Sequence, residues 1–139
     1  LDHFKSINDR FGHLEGDRVL VEFAQVVKGH LRSTDTLGRL GGEEFGLLLP
    51  RTSPAEGADV GSRILEAIRT LALTDSTGQS YRITTSMGLG SLHPSDRSLR
   101  DLLDRADQAL YMAKRGGRDH LATLEPEHAP AMPLQGAQQ

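Results

Sequence analysis

At 139 residues, with 37% hydrophobic and 25% charged positions, the chain has room for one domain around one core and not for a second. A formal net charge of −3 provides no global field for nucleic acid or an anionic membrane, so a phosphate-bearing partner has to be held by local groups. The absence of cysteine excludes disulfides, thiolate nucleophiles and Cys-based zinc sites together, and suits a reducing cytoplasm.

The chain starts at Leu1, inside an already patterned segment, and is read as a piece of a longer protein whose N-terminal part is absent. Its first residues, "LDHFKSINDRFGH", carry little periodicity, and their Asn-Asp and Phe-Gly steps predict a strand end running into a broken helix or loop. In "LEGDRVLVEFAQVVKGHLRS" the apolar residues Leu20, Phe23, Val27 and Leu31 recur at spacings of three and four, which predicts an amphipathic helix. Asp17 stands near its start, where a carboxylate serves as an N-cap or as a ligand. "TDTLGRL" and "FGLLLP" flank "GGEE" as the two arms of a hairpin, with Pro50 ending the second.

"SPAEGADVGSRILEAIRTLAL" reads as a second helix, with Ser53 as N-cap, Pro54 in the first turn and Ile64, Ile68 and Leu71 facing inward. "DSTGQS" is a turn, and "YRITTSMGLGSL" is strand-like, its Gly88 and Gly90 marking close approach to a neighbouring element. "DRSLRDLLDRADQALYMAKRGGRD" forms a third helix, with Leu99, Leu102, Leu103, Ala106, Leu110 and Ala113 on one stripe and Gly116-Gly117 as its stop. "HLATL" is a short edge strand, and the Pro, Ala, Gln and Gly of residues 125–139 predict a disordered tail. The order of elements predicts an α/β sandwich with helices against one mixed sheet, and no apolar run approaches the roughly 18 to 20 residues of a membrane-spanning helix.

The chemistry concentrates in "RLGGEEF". Glycine accepts the positive φ of a tight turn, so Gly41 and Gly42 make a hairpin tip, and Glu43 and Glu44 could be solvated turn residues and nothing more. Adjacent carboxylates repel, however, and are most comfortable in water or around a cation. Beside a glycine turn that lets a bulky anion approach the backbone, they form a plausible seat for Mg²⁺ or Mn²⁺ carrying a nucleoside triphosphate. The six histidines, at 3, 13, 30, 93, 120 and 128, show no helical zinc spacing, and with 4% aromatic residues nucleic-acid binding is not expected.

"RLGGEEF" resembles the signature of GGDEF domains, the diguanylate cyclases, in the Glu-for-Asp form that family also uses. Three further stretches agree in order and spacing. "LDHFKSINDRFGHLEGDRVL" is similar to the family's D-[IL]-D-x-F-K-x-[IV]-N-D-x-x-G-H-x-x-G-D-x-x-L, "TTSMGLG" to its T-x-S-[IV]-G, and "ADQALYMAKRGGRD" to its A-D-x-A-L-Y-x-A-K-x-x-G-R, so the resemblance spans 1–124. It implies a nucleotidyl-cyclase palm-like fold with a ferredoxin-like core, and a homodimer in which each domain holds one GTP while two GTP become cyclic di-GMP and pyrophosphate.

By the same resemblance Glu43 and Glu44 are catalytic and, with the Leu1 main-chain carbonyl, hold the metal. Asn8 and Asp17 read guanine with His13 between them. Phe4, Lys5, Gly41, Gly42, Lys114 and Arg118 contact the rest of the GTP, helped by N–H groups near His3 and Phe4. "RSTD", through Arg32 and Asp35, together with Arg63, corresponds to the site where the product inhibits. The first acid of the family's D-[IL]-D strand would fall one residue before Leu1, and the opening helix and most of that strand are missing, so weak metal affinity and little turnover are expected of residues 1–139 alone. Asp2 is no simple replacement, since neighbouring strand residues point to opposite faces. The alternative function is a non-catalytic module that binds GTP or cyclic di-GMP in signalling.

Overall fold

The computed structural model describes residues 1–124, so the tail expected over 125–139 lies outside the described residues. Helix α1, Phe4–Phe11, opens at His3, whose backbone is left-handed at φ 57, and closes at Gly12, φ 92. Where a strand end and a broken helix or loop were expected, there is a full helix whose break is the single residue Gly12. Its apolar residues Phe4, Ile7 and Phe11 are too few to give a periodic signal, and only Ile7 is buried.

Helix α2, His13–Lys28, takes Gly12 as its N-cap, which leaves Asp17 exposed in the second turn and not capping. Val19, Leu20, Phe23 and Val27 are buried as the spacing predicts, while Leu31 packs against the core from beyond the helix end. The hairpin is present: β1, Thr36–Gly41, pairs antiparallel with β2, Glu44–Leu48, from Thr36↔Leu48 to Gly41↔Glu44 with an irregularity between Arg39 and Gly41.

Helix α3, Pro54–Arg69, begins in a capping box: Ser53 Oγ accepts the Glu56 N–H at 3.1 Å and the Glu56 carboxylate accepts the Ser53 N–H at 2.9 Å. The short strands β3, Leu73–Thr74, and β4, Ser80–Tyr81, are joined by the expected turn, in which the Asp75 carboxylate accepts the N–H groups of Thr77 and Gln79, both at 2.9 Å. Ile7, Val19, Phe23, Val27, Ile64, Ile68, Leu73 and Ile83 form the core, with the Phe45 ring 5.2 Å from that of Phe23.

Strands β5, Met87–Gly90, and β6, Leu121–Leu124, run parallel, joined by helix α4, Leu99–Arg115. The stripe predicted for α4 holds in part. Ala109 and Ala113 are fully buried and Leu102, Ala106 and Leu110 half-buried, but Leu99 and Leu103 are exposed. The reason is Gly88: a Cβ there would sit 2.2 Å from both Ala106 O and Leu110 N, so the helix backbone lies directly on the strand and the contact face has to be alanine.

The architecture is mixed α/β, as expected, but its strands form three two-stranded ladders, β1-β2, β3-β4 and β5-β6, instead of one mixed sheet. Between the hairpin and the segment leading into β5 run only Leu1 and Asp2. Asp2 N–H donates to Thr84 O at 2.9 Å and the Leu1 amine to Glu43 O at 3.4 Å, two residues being too few to make a ladder. Among the described residues no helix is long and apolar enough to cross a membrane.

Replacing Gly88 by Ala forces α4 off the strand, and urea unfolding should register a loss of about 3 kcal/mol. A Gly88→Ala protein as stable as the parent would contradict the backbone contact.

Candidate functional site

Helices α1 and α2 cross at Gly16. A Cβ on Gly16 would lie 1.8 Å from Asn8 Oδ1 and 3.3 Å from Phe4 Cζ, so only glycine lets the Asn8 amide and the Phe4 ring settle against α2 one residue before Asp17. Asn8 Oδ1 is buried there without a hydrogen-bond partner among the described residues, a costly state that a donor would relieve. Asp17 and His13 are both exposed on the same helix. A carboxylate and an amide at one helix crossing can together meet a ring that offers both donors and acceptors on one edge.

The hairpin tip forms the second part. Gly42 takes φ 52, and nothing stands within 4 Å of a Cβ built on either Gly41 or Gly42, so the turn is open to an incoming group. Arg39 Nε donates to Gly42 O at 2.8 Å and fixes that turn from behind. Glu44 is exposed and Glu43 half-buried. Leu1 lies at this tip, its nitrogen donating to Glu43 O at 3.4 Å.

Asp2, which the sequence pattern gives no part in the site, is the anchor of this region. It is 6% exposed, and its carboxylate accepts Ser86 Oγ at 2.7 Å, Thr84 Oγ1 at 2.8 Å and the Asp119 N–H at 3.2 Å. Burial pushes its pKa up, but those hydrogen bonds, from Ser86, Thr84 and Asp119 in that order, outweigh it and hold the carboxyl below the usual range. Arg118 precedes Asp119; it is exposed, has φ 66, and donates its N–H to Ala113 O at 3.0 Å. Lys5, 90% exposed, is paired along α1 with Asp9 at 3.0 Å.

Arg32 and Asp35 sit apart from this group, before β1. The Asp35 carboxylate accepts the Arg32 N–H at 2.8 Å, and the Arg32 guanidinium donates to Asp35 Oδ1 at 3.4 Å, Pro50 O at 3.0 Å and Thr52 Oγ1 at 2.6 Å. Arg63 is exposed on α3 and is not bonded to that pair. Among the described residues no three His, Cys, Asp or Glu side chains gather as a metal cluster. Of the residues missed in the sequence, Gly16 had a signal, a glycine inside an amphipathic helical pattern. Asp2 and Arg39 lie inside the quoted family stretches, which mark the residues but not what they bond.

Residues 1–120 match the family model described as diguanylate cyclase, GGDEF domain. The chain is 44% identical over 121 residues to the diguanylate cyclase DgcP of Pseudomonas aeruginosa, an alignment that covers 87% of this chain and 18% of that protein. Among solved structures it resembles the coiled coil and GGDEF domain of DgcB from Caulobacter crescentus in complex with c-di-GMP, at TM-score 0.85 and 33% identity, over 88% of this chain and 65% of that one. It also resembles the active GGEEF domain of a diguanylate cyclase from Vibrio cholerae, at TM-score 0.79 and 34% identity, over 88% and 76% of the two chains. The chain spans between 12% and 35% of the lengths of five curated relatives. Because the match runs through nearly all of the described fold and takes in the glycine hairpin, this chain belongs to the GGDEF domain family, the diguanylate cyclases.

Proposed function

We propose that the protein containing this chain condenses two GTP molecules into cyclic di-GMP and pyrophosphate, each domain holding one GTP in a homodimer. The observation that carries this reading is the open Gly41–Gly42 turn with Glu43 and Glu44 beside it and Leu1 bonded to Glu43 O at 3.4 Å. Asn8 and Asp17 read the guanine edge, and the unpartnered Asn8 Oδ1 is a ready acceptor for the base's N–H groups. His13 flanks the base on α2. The N–H groups near His3 and Phe4, with Lys5, Lys114 and Arg118, hold phosphate oxygens, lysine as a mobile charge and arginine as a fork.

Glu43, Glu44 and the Leu1 carbonyl are hard oxygen donors, a set suited to Mg²⁺ or Mn²⁺ and not to zinc. Such a cation, when bound, supplies neutralisation of the charge that develops on the phosphates. Glu43 is placed by this reading to take the proton of the attacking 3′-hydroxyl, and the open glycine turn lets the triphosphate lie against the backbone. With two carboxylates and one carbonyl the cation depends on water and phosphate for its other ligands, so residues 1–139 alone hold it weakly and turn over slowly.

Arg32, Asp35 and Arg63 are read as the site where the product inhibits. The Arg32 side chain is 58% exposed, so its guanidinium is open to a phosphodiester.

In the full-length protein Glu44→Gln should lower cyclic di-GMP synthesis by roughly a hundredfold or more while leaving the melting temperature unchanged, because the side chain is exposed and touches no core. Full activity in that variant would refute the role, and GTP binding without turnover in the parent would select the non-catalytic module instead. The chain alone, assayed beside the full-length protein with GTP and Mg²⁺, should be at least about tenfold slower; equal rates would contradict the incomplete ligand set. Arg32→Ala should remove inhibition by added cyclic di-GMP, and an unchanged inhibition curve would show that "RSTD" plays no such part.

A further inference from the structure

The loop that carries Arg118 is held in a conformation its own residues disfavour. Arg118 and Asp119 both have left-handed backbone, φ 66 and φ 54, and neither is glycine. Residues with side chains keep such angles where their surroundings fix them. On one side the Asp2 carboxylate takes the Asp119 N–H. On the other, Arg69 at the C-terminal end of α3 reaches across: its Nε donates to Asp119 Oδ1 at 2.8 Å and its Nη2 to Asp119 O at 2.7 Å.

These two contacts grip the side chain and the main chain of one residue with one rigid fork. The partners are 38% and 39% exposed, so the ion pair as a charge attraction contributes little. Its effect is geometric. With both the N–H and the carbonyl of Asp119 occupied from opposite sides, the peptide planes on either side of it cannot turn, and the direction of the neighbouring Arg118 side chain is set.

We propose that Arg69 is a positioning residue: by clamping Asp119 it aims the Arg118 guanidinium at the phosphates of the bound nucleotide. This rests on the GTP reading given above. Arg69 touches no substrate, and a lysine in its place, a point charge without the planar fork, holds the two acceptors less rigidly.

Two readouts on Arg69→Ala and Arg69→Lys, made in the full-length protein, test this. Amide hydrogen exchange needs no ligand; in Arg69→Ala it should speed up about tenfold over residues 116–120 alone. With GTP and Mg²⁺, KM should rise about tenfold with kcat within about twofold, and Arg69→Lys should fall between the two proteins on both measures. Unchanged exchange overturns the clamp, as does fast exchange throughout the chain, which would mark a merely structural role. Unchanged KM beside loosened exchange overturns the link to Arg118. If the parent neither binds nor turns over GTP, the GTP reading falls by itself, while local loosening in Arg69→Ala still supports the clamp.

Discussion

A single buried carboxylate joins the parts of this domain that have no ladder in common. Asp2 takes hydrogen bonds from Thr84 and Ser86, just before β5, and from the main chain after α4, while its own N–H reaches Thr84 O. An ionised group is expensive to bury unless its lone pairs are met, and here three donors meet them. The same residue lies between Leu1 and His3, so the chain entering the hairpin tip and the chain leaving α4 are referred to one point. Asp2 thus ties the start of the chain to the segments that lead into β5 and β6, while residues of α1, α2, α3 and β3 share one apolar core.

Glycine sets the other distances. Gly88 lets α4 lie on β5 at backbone contact, Gly16 lets α1 seat its Asn8 on α2, and the Gly41–Gly42 turn stays open. Each is a place where a methyl group would fill space that the fold uses for something else: helix packing, an amide, or an approaching ligand. The functional pattern and the packing pattern thus draw on the same residue type for opposite reasons, since close contact is needed in the first two cases and empty space in the third.

What could be read in the sequence was what is local. The hairpin, the Ser53 N-cap with Pro54 and the Asp75 turn are decided by neighbours within a few residues, and the structure has them where the pattern puts them. The face of α4 was misjudged at Leu99 and Leu103 because the tertiary contact demands small residues, which a hydrophobic count undervalues. Asp17 could be taken for a cap because the break at Gly12, two helices in close succession, has no periodic trace. Of the candidate site, the acidic tip stood out by its glycines and paired carboxylates, whereas Asn8 and Asp17 were singled out as a pair by the family resemblance. Asp2 and Arg69 were not, for their partners stand 82 to 117 and 50 positions away along the chain.

The hinge between α1 and α2 is one residue long, and that fixes a phase. Asn8 and Asp17 belong to different helices, and how they stand to one another is set by Gly12, which starts the second helix at one rotational setting. A residue added or removed at that joint would swing everything after it by about 100° about the α2 axis, carrying the carboxylate round to another side and the apolar stripe of Val19, Phe23 and Val27 out of the core with it. The exposed position of Asp17 and the buried face of α2 are therefore geared together: a change of length at this joint moves both at once.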